Sequence, residues 1–438
     1  MKHTDIIQKL NLEQKCALLS GETVFTTRAL PGKGIPAITL SDGPNGVRKQ
    51  AGAADHLGLN PSVPATCFPT SSATACSWDE KLGEAVGEAL GEEAAAQEVA
   101  VLLGPGLNIQ RSPLCGRDFE YFSEDPILAG RMAAAYVRGI QKNGISACPK
   151  HFAVNSQELR RMASDSVLDE RTLRELYLTG FEIVVKEAKP KTIMTSYNLI
   201  NGTYANENAH LLQDILRKDW GFDGAVVTDW GGSNDHALGV KNGSTLEMPC
   251  PGGDSIRELM KAVQGGKISE ADVDARLDEM LELVLSTHAA VEKAPRTFDA
   301  AAHHKLARRA AAESIVLLRN EGGILPLRPN EKLAVIGDFA ETPRYQGAGS
   351  SAVNALQVDT LLDSIKADDS GITLVGYASG FERQGAADAE KLEEAVALAK
   401  KADTVLLCLG LDELRESEGL DRADMKLAEN QQQLLAAV

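Results

Sequence analysis

An α/β fold of alternating strands and helices is what this sequence predicts, and three observations carry the prediction. Short apolar, β-branched runs recur between amphipathic stretches, the pattern of a parallel sheet with crossover helices. Functional polar side chains gather directly after those runs, most clearly in Val226-Val227-Thr228-Asp229-Trp230-Gly231-Gly232. With 438 residues and 43% hydrophobic content, the chain has material for more than one packed core.

The elements follow in order. A first helix is expected over Asn11–Leu19. Strand-like runs lie at Ala37–Leu40, Val99–Leu103, Ile145–Cys148, Thr192–Ser196, Ala225–Thr228 and Ser244–Glu247. Helical periodicity covers Asp79–Glu98, Ile127–Lys142, Glu170–Lys189, Leu211–Trp220, Ser255–Gln264 and Glu270–Thr287. Ser77 and Glu80 are spaced as a capping box for the Asp79–Glu98 helix. About 300 residues of such alternation suit a (β/α)₈ TIM-like barrel or a near variant, with six of its strands marked here.

From His288 to Ala302, around Pro295, the period is lost and a linker is expected. A helix over His304–Leu318 then leads to strands at Leu333–Gly337, Ile372–Val375 and Thr404–Leu409. Helices over Ala387–Lys401 and Asn430–Val438 accompany them. Three strands begin a doubly wound sheet without filling one. The expected division is a barrel domain over residues 1–290, a linker over 291–303, and an incomplete α/β sandwich domain over 304–438.

Charge narrows the partners. The net charge of -17, from 45 basic and 62 acidic residues, argues against nucleic acid or an anionic membrane as the main partner. Seven scattered cysteines without a CxxC pair form neither a zinc pattern nor a disulfide framework, so reduced thiols are expected, and no metal or other cofactor. The first twenty residues lack the apolar core of a signal peptide and no run reaches membrane-span length, so a soluble, cytoplasmic protein is expected.

The chemistry sits after the strands. Ser41-Asp42-Gly43-Pro44 follows one, and Lys150-His151-Phe152, Tyr197-Asn198 and Asp229-Trp230 follow others. A long loop, Asn108 to Pro126, adds Arg111 and Arg117. In a barrel these ends converge on one face. Carboxylates and cations that pair with hydroxyls, beside an aromatic face for C–H surface, suit a neutral polyol. The bland alternatives are arginines bridging acidic loops, a satisfied core histidine and a packing tryptophan. The charged run Asp412 to Arg422 after the last strand reads, on its own, as a solvated loop.

Taken together, SDGPNGVR, NIQRSPLCGRDFEYFSEDP, KHFAVNSQELRR, MTSYN, GAVVTDWGG, LEMP and ESEGLDR resemble glycoside hydrolase family 3, specifically its β-glucosidase branch. The resemblance runs from near residue 5 to the last residue. It implies a barrel and an α/β sandwich with the sugar held between them, and a sandwich that continues beyond the strands present here. It implies retaining hydrolysis of terminal non-reducing β-D-glucosyl residues through a covalent glycosyl-aspartate. Asp229 matches the nucleophile and Glu418 the general acid/base, with Glu413 and Glu416 as rivals for the second role. Asp42, Arg117, Lys150, His151, Arg161, Tyr197 and Trp230 match positions around the sugar, and Ser350 corresponds to a second-domain loop residue near it. The implied substrates are β-glucosides or short β-gluco-oligosaccharides, without cofactor, with a homo-oligomer left open. The alternatives are a β-xylosidase or other exo-glycosidase of the family, an inactive sugar-binding fragment, and a nucleotide binder built on Gly347–Ser351, which lacks the Lys-Ser/Thr ending of a P-loop. For such a mechanism the nucleophile is expected to have a low pKa and the acid/base a raised one.

Overall fold

The computed structural model describes residues 1–52 and 60–438. Its first lobe is organised by short parallel strands. Leu40–Asp42, Val101–Leu103 and Ser146–Ala147 pair in that order, and Thr192–Met194 pairs with Ala225–Val227. Single parallel bridges extend the pairing from Gly106 to Lys150, Phe152 to Thr195, Val227 to Leu246, and Glu247 to Ser20. An antiparallel bridge between Thr26 and Thr39 then brings the chain back beside the first strand, so the ring of segments returns to its start. Val101, Leu102, Leu103, Ile193, Val226 and Val227 are fully buried, as parallel strands covered on both faces must be.

The α/β alternation is thus present, with differences at the edges. The strand expected at Ala37–Leu40 is Leu40–Asp42, which puts Asp42 in the strand itself. Ser244–Glu247 contributes bridges only. The helix Glu80–Ala96 is capped by Asp79, whose carboxylate accepts from Lys81 N at 2.8 Å. Ser77 instead donates to Thr74 O, so the expected capping box does not form. The helix from Glu270 extends to Lys293, its start fixed by a Ser269–Asp272 capping box. The next helix is Ala300–Glu313, shorter than expected at its end. The β-branched pair Ile315 and Val316 ends the alanine-rich periodicity, and both are exposed.

In the second lobe Lys332–Ile336 is the middle strand, flanked by Thr373–Ala378 and Thr404–Leu407, all parallel. Its side chains feed two clusters, one with Leu362 of the helix Leu361–Lys366 and one with Ala395 of the helix Ala389–Ala399. The sheet is therefore wound in both directions from its middle strand. The loops leaving Lys332–Ile336 and Thr404–Leu407 lie side by side at the switch point, where open α/β sheets form their crevice. Those loops carry Ser350 and Glu418. Among the described residues no helix is long and apolar enough to cross a membrane.

Candidate active site

Asp229 follows the strand Ala225–Val227 and is buried. Its Oδ1 accepts from Trp230 N at 2.8 Å, while Oδ2 has no hydrogen-bond partner and lies 3.6 Å from His151 Nε2. One oxygen is thus held by a backbone N–H, while the other lies among the side chains of His151 and Tyr197.

A cationic wall stands beside it. Glu120, wholly buried, pairs with Arg117 at 2.6 Å and with Lys150 at 3.0 Å. Burial drives the Glu120 carboxyl upward, but Arg117 and Lys150 outweigh it and hold it below its ordinary value. Two buried cations are thus fixed by one carboxylate. His151 is clamped by Asn108, which accepts from His151 N and donates to His151 O, both at 2.9 Å. Its Nδ1 lies 3.1 Å from the Tyr121 hydroxyl, which accepts from Asn155 at 3.0 Å. Burial, reinforced by Arg117, Lys150 and Arg161, pushes the His151 pKa well below its ordinary value, so the imidazole is neutral.

Trp230 is fixed by its indole N–H donating to Val24 O at 2.7 Å and by its ring 5.4 Å from that of Phe25. Tyr197 donates to Trp230 O at 2.9 Å, and the Arg161 guanidinium lies 4.8 Å from the centre of its ring.

Glu418 reaches this wall from the second lobe. Its Oε1 accepts from Arg161 at 2.8 Å and lies 3.6 Å from Arg117; its Oε2 accepts from Ser350 N at 2.7 Å. Gly349, at φ +115°, leaves the space: a Cβ there would stand 2.4 Å from Glu418 Cβ. The rivals point elsewhere. Glu416 pairs with Arg344 at 2.9 Å and Glu413 with Arg383 at 3.4 Å.

The sequence candidates therefore meet in one place. Asp42, Arg117, Lys150, His151, Arg161, Tyr197, Asp229, Trp230, Ser350 and Glu418 all line a cavity of about 430 Å³, with Phe25, Met162, Met194 and Pro249 adding apolar wall. Arg111 does not join them; it is exposed and lines a separate cleft with Glu124 and Asp125. The sequence reading passed over Glu120, Tyr121 and Phe25. The spacing of Glu120 three residues after Arg117 was its only local signal.

The electrostatics reverse one expectation. Burial raises Asp229 above its ordinary value, more than Arg117, Arg161 and Lys150 lower it. Burial also acts to raise Glu418, but Arg117, Arg161 and the Ser350 N–H outweigh it and hold the group well below the usual carboxylate range. The expected order was the opposite. The cause is geometric, since Arg117, Arg161 and the Ser350 N–H all converge on the Glu418 oxygens, while Asp229 Oδ2 has the neutral His151 imidazole beside it at 3.6 Å. Asp42, beside Lys150 but desolvated, is pushed up to about 6.

The chain matches two family domains in succession. Residues 53–283 match the glycosyl hydrolase family 3 N terminal domain and residues 315–438 its C-terminal domain. It is 46% identical to the thermostable beta-glucosidase B of Acetivibrio thermocellus, over 99% of this chain and 57% of that protein. It is 44% identical to an exo-alpha-(1->6)-L-arabinopyranosidase of Bifidobacterium longum, over 99% of this chain and 58% of that one. The chain thus spans little more than half the length of these curated relatives. Among solved structures, a family 3 beta-glucosidase of Bifidobacterium adolescentis superposes with a TM-score of 0.92 at 42% identity, covering 99% of this chain and 62% of the other. Beta-glucosidase 3B of Thermotoga neapolitana, solved in complex with α-D-glucose, gives 0.89 at 33%, covering 100% and 67%. With both domains matched in order over most of its length, the chain belongs to glycosyl hydrolase family 3.

Proposed function

We propose that this chain carries the active site of a retaining, exo-acting β-glucosidase, with Asp229 as nucleophile and Glu418 as general acid/base. The observation that carries the reading is the pairing of an unpartnered Asp229 Oδ2 with Glu418 in one sugar-sized cavity walled by Arg117, Lys150, His151 and Trp230. The division into a (β/α)₈-like barrel over 1–290, a linker over 291–303 and a sandwich domain over 304–438 is part of the same reading.

In the first step Asp229 Oδ2 bonds to the anomeric carbon. The bond to the leaving oxygen breaks, and that oxygen takes the proton of Glu418. In the second, Glu418 removes a proton from water, the water oxygen attacks the anomeric carbon, and the bond to Asp229 breaks. Arg161 and Arg117 stabilise Glu418 as a carboxylate, the form it needs after the first step. Before that step the proton must move onto Glu418. A sugar whose hydroxyls draw Arg161 away from Glu418 supplies the cause, by removing the cation that holds the acid ionised. His151, neutral, and Lys150 offer donors to ring hydroxyls, and Trp230 offers a face to the sugar's C–H surface.

A second reading concerns the sugar. The 44%-identical arabinopyranosidase acts, by its name, on a pentopyranose, which lacks the hydroxymethyl group of glucose. Asp42, at the carboxyl end of its strand, is the group we assign to that hydroxymethyl side. Turnover of aryl β-glucoside, β-xyloside and α-L-arabinopyranoside by the full chain tests both readings. Glucoside turnover exceeding the other two supports the first; a pentopyranoside in front replaces it with the second.

A further inference from the structure

We infer that Asp421 is a positioning residue whose carboxylate pins the loop carrying Glu418 to the first lobe and so fixes the reach of Glu418 into the cavity. The inference rests on the acid/base role proposed for Glu418.

Asp421 does not line the cavity. Its Oδ1 accepts from Gly116 N at 3.1 Å and from Glu158 N at 2.9 Å; its Oδ2 accepts from Leu159 N at 2.9 Å. Bonds from backbone N–H to an ionised acceptor are among the stronger ones available. The attachment is reciprocal, because Glu158 Oε2 accepts from Gly419 N at 2.8 Å, and Arg422 N donates to Leu114 O at 2.8 Å. Residues 419–422 are thereby held between two first-lobe loops, one at 114–116 and one at 158–159. The approach is close: a Cβ on Gly116 would stand 1.7 Å from Leu420 O.

What sets Asp421 apart is that its partners cannot be lost to a ligand. Among the described residues, the hydrogen bond and ion pairs of the Glu418 side chain with the first lobe go to Arg161 and Arg117, which also line the cavity. A bound sugar competes for both. The residues whose backbone donors hold Asp421, Gly116, Glu158 and Leu159, do not line the cavity, so the loop stays seated when the guanidinium contacts open. A misplacement of about 1 Å in such a group is enough to cost roughly 100-fold in rate.

The test compares Asp421→Asn, Asp421→Ala and Glu418→Gln in the full chain, on an activated nitrophenyl β-glucoside and on an alkyl β-glucoside with a poor leaving group. Asn has the size of Asp and retains one acceptor oxygen, so it reports even where the Ala variant is poorly folded. The expected result is that both Asp421 variants lose kcat/KM on the alkyl glucoside by about tenfold or more, with a much smaller loss of kcat/KM on the nitrophenyl substrate, because that ratio reports the first step, in which only the poor leaving group needs the acid. A general loosening of the fold lowers both substrates together and leaves no such split. Equal loss on both substrates, or none, alongside a normal split for Glu418→Gln, overturns the role of Asp421 alone. Absence of the split in Glu418→Gln itself overturns the acid/base assignment, and the inference with it.

Discussion

Arg161 and Glu418 meet across the junction of the two lobes, with Arg161 Nη1 donating to Glu418 Oε1 at 2.8 Å. The same nitrogen donates to Glu158 Oε2 at 2.8 Å, so one guanidinium ties a first-lobe carboxylate to the acid that enters from the second lobe. With Arg117 and the Ser350 N–H, this contact holds the Glu418 carboxyl well below its ordinary value.

Replacing Arg161 by Gln should therefore do two things. The loss of a charge-assisted hydrogen bond of about 1.5–3 kcal/mol should lower kcat/KM by roughly 10- to 150-fold. It should also let Glu418 keep its proton to higher pH, moving the acidic limb of the kcat/KM profile upward, because Glu418 titrates below Asp229 in the free enzyme and that limb reports it. An acidic limb left in place would separate Arg161 from the proton on Glu418.

Gly349 tests the second-lobe support. An alanine there is strained at φ +115° and drives its Cβ to 2.4 Å from Glu418. The expected outcome of Gly349→Ala is a fall in kcat of roughly 100-fold, arising from displaced Glu418, with the first-lobe sugar contacts and hence KM largely kept. A KM effect without a kcat effect would place Gly349 in binding instead.

Asp118 offers a pH prediction away from the cavity. Burial, with Glu416 and Asp421 adding, pushes its pKa up to about 7, although Arg422 opposes this. The folded state then binds this proton more tightly than the unfolded chain, so the group costs stability progressively as pH rises from the ordinary carboxylate range through 7. Asp118→Asn removes that cost. Its thermal midpoint should gain on the parent's between about pH 4 and pH 7 and hold the gain above, as linkage requires. A difference that does not change with pH would mean that Asp118 titrates normally.

Much of this site was legible because its parts sit at strand ends, and strand ends are visible as apolar runs that stop at polar residues. Asp229, Lys150, His151 and Tyr197 were found that way. Glu418 was not, since a charged loop after a strand looks solvated until its partners are known. Only the family motif singled it out, and the geometry separates it from Glu413 and Glu416 by the arginines each one meets. Glu120 stayed hidden for a similar reason, its two cations being one three residues away and one thirty. The ring was harder to see than the helices because Leu246 and Glu247 join it by single bridges rather than by a strand. The reversed pKa order could not be read from the sequence at all, because it depends on which carboxylate Arg161 touches.

The proposed mechanism turns on a covalent bond between Asp229 and the sugar. Incubating the full chain with an activated 2-deoxy-2-fluoro-β-glucoside, then digesting it and weighing the peptides, tests this directly. The 2-fluoro group slows both steps and the good leaving group restores the first, so the intermediate accumulates. One added fluoroglycosyl mass is expected, on the peptide containing Thr228-Asp229-Trp230. Label on any other carboxylate, or steady turnover of ordinary substrate with no label and an inverted anomeric product, would contradict it.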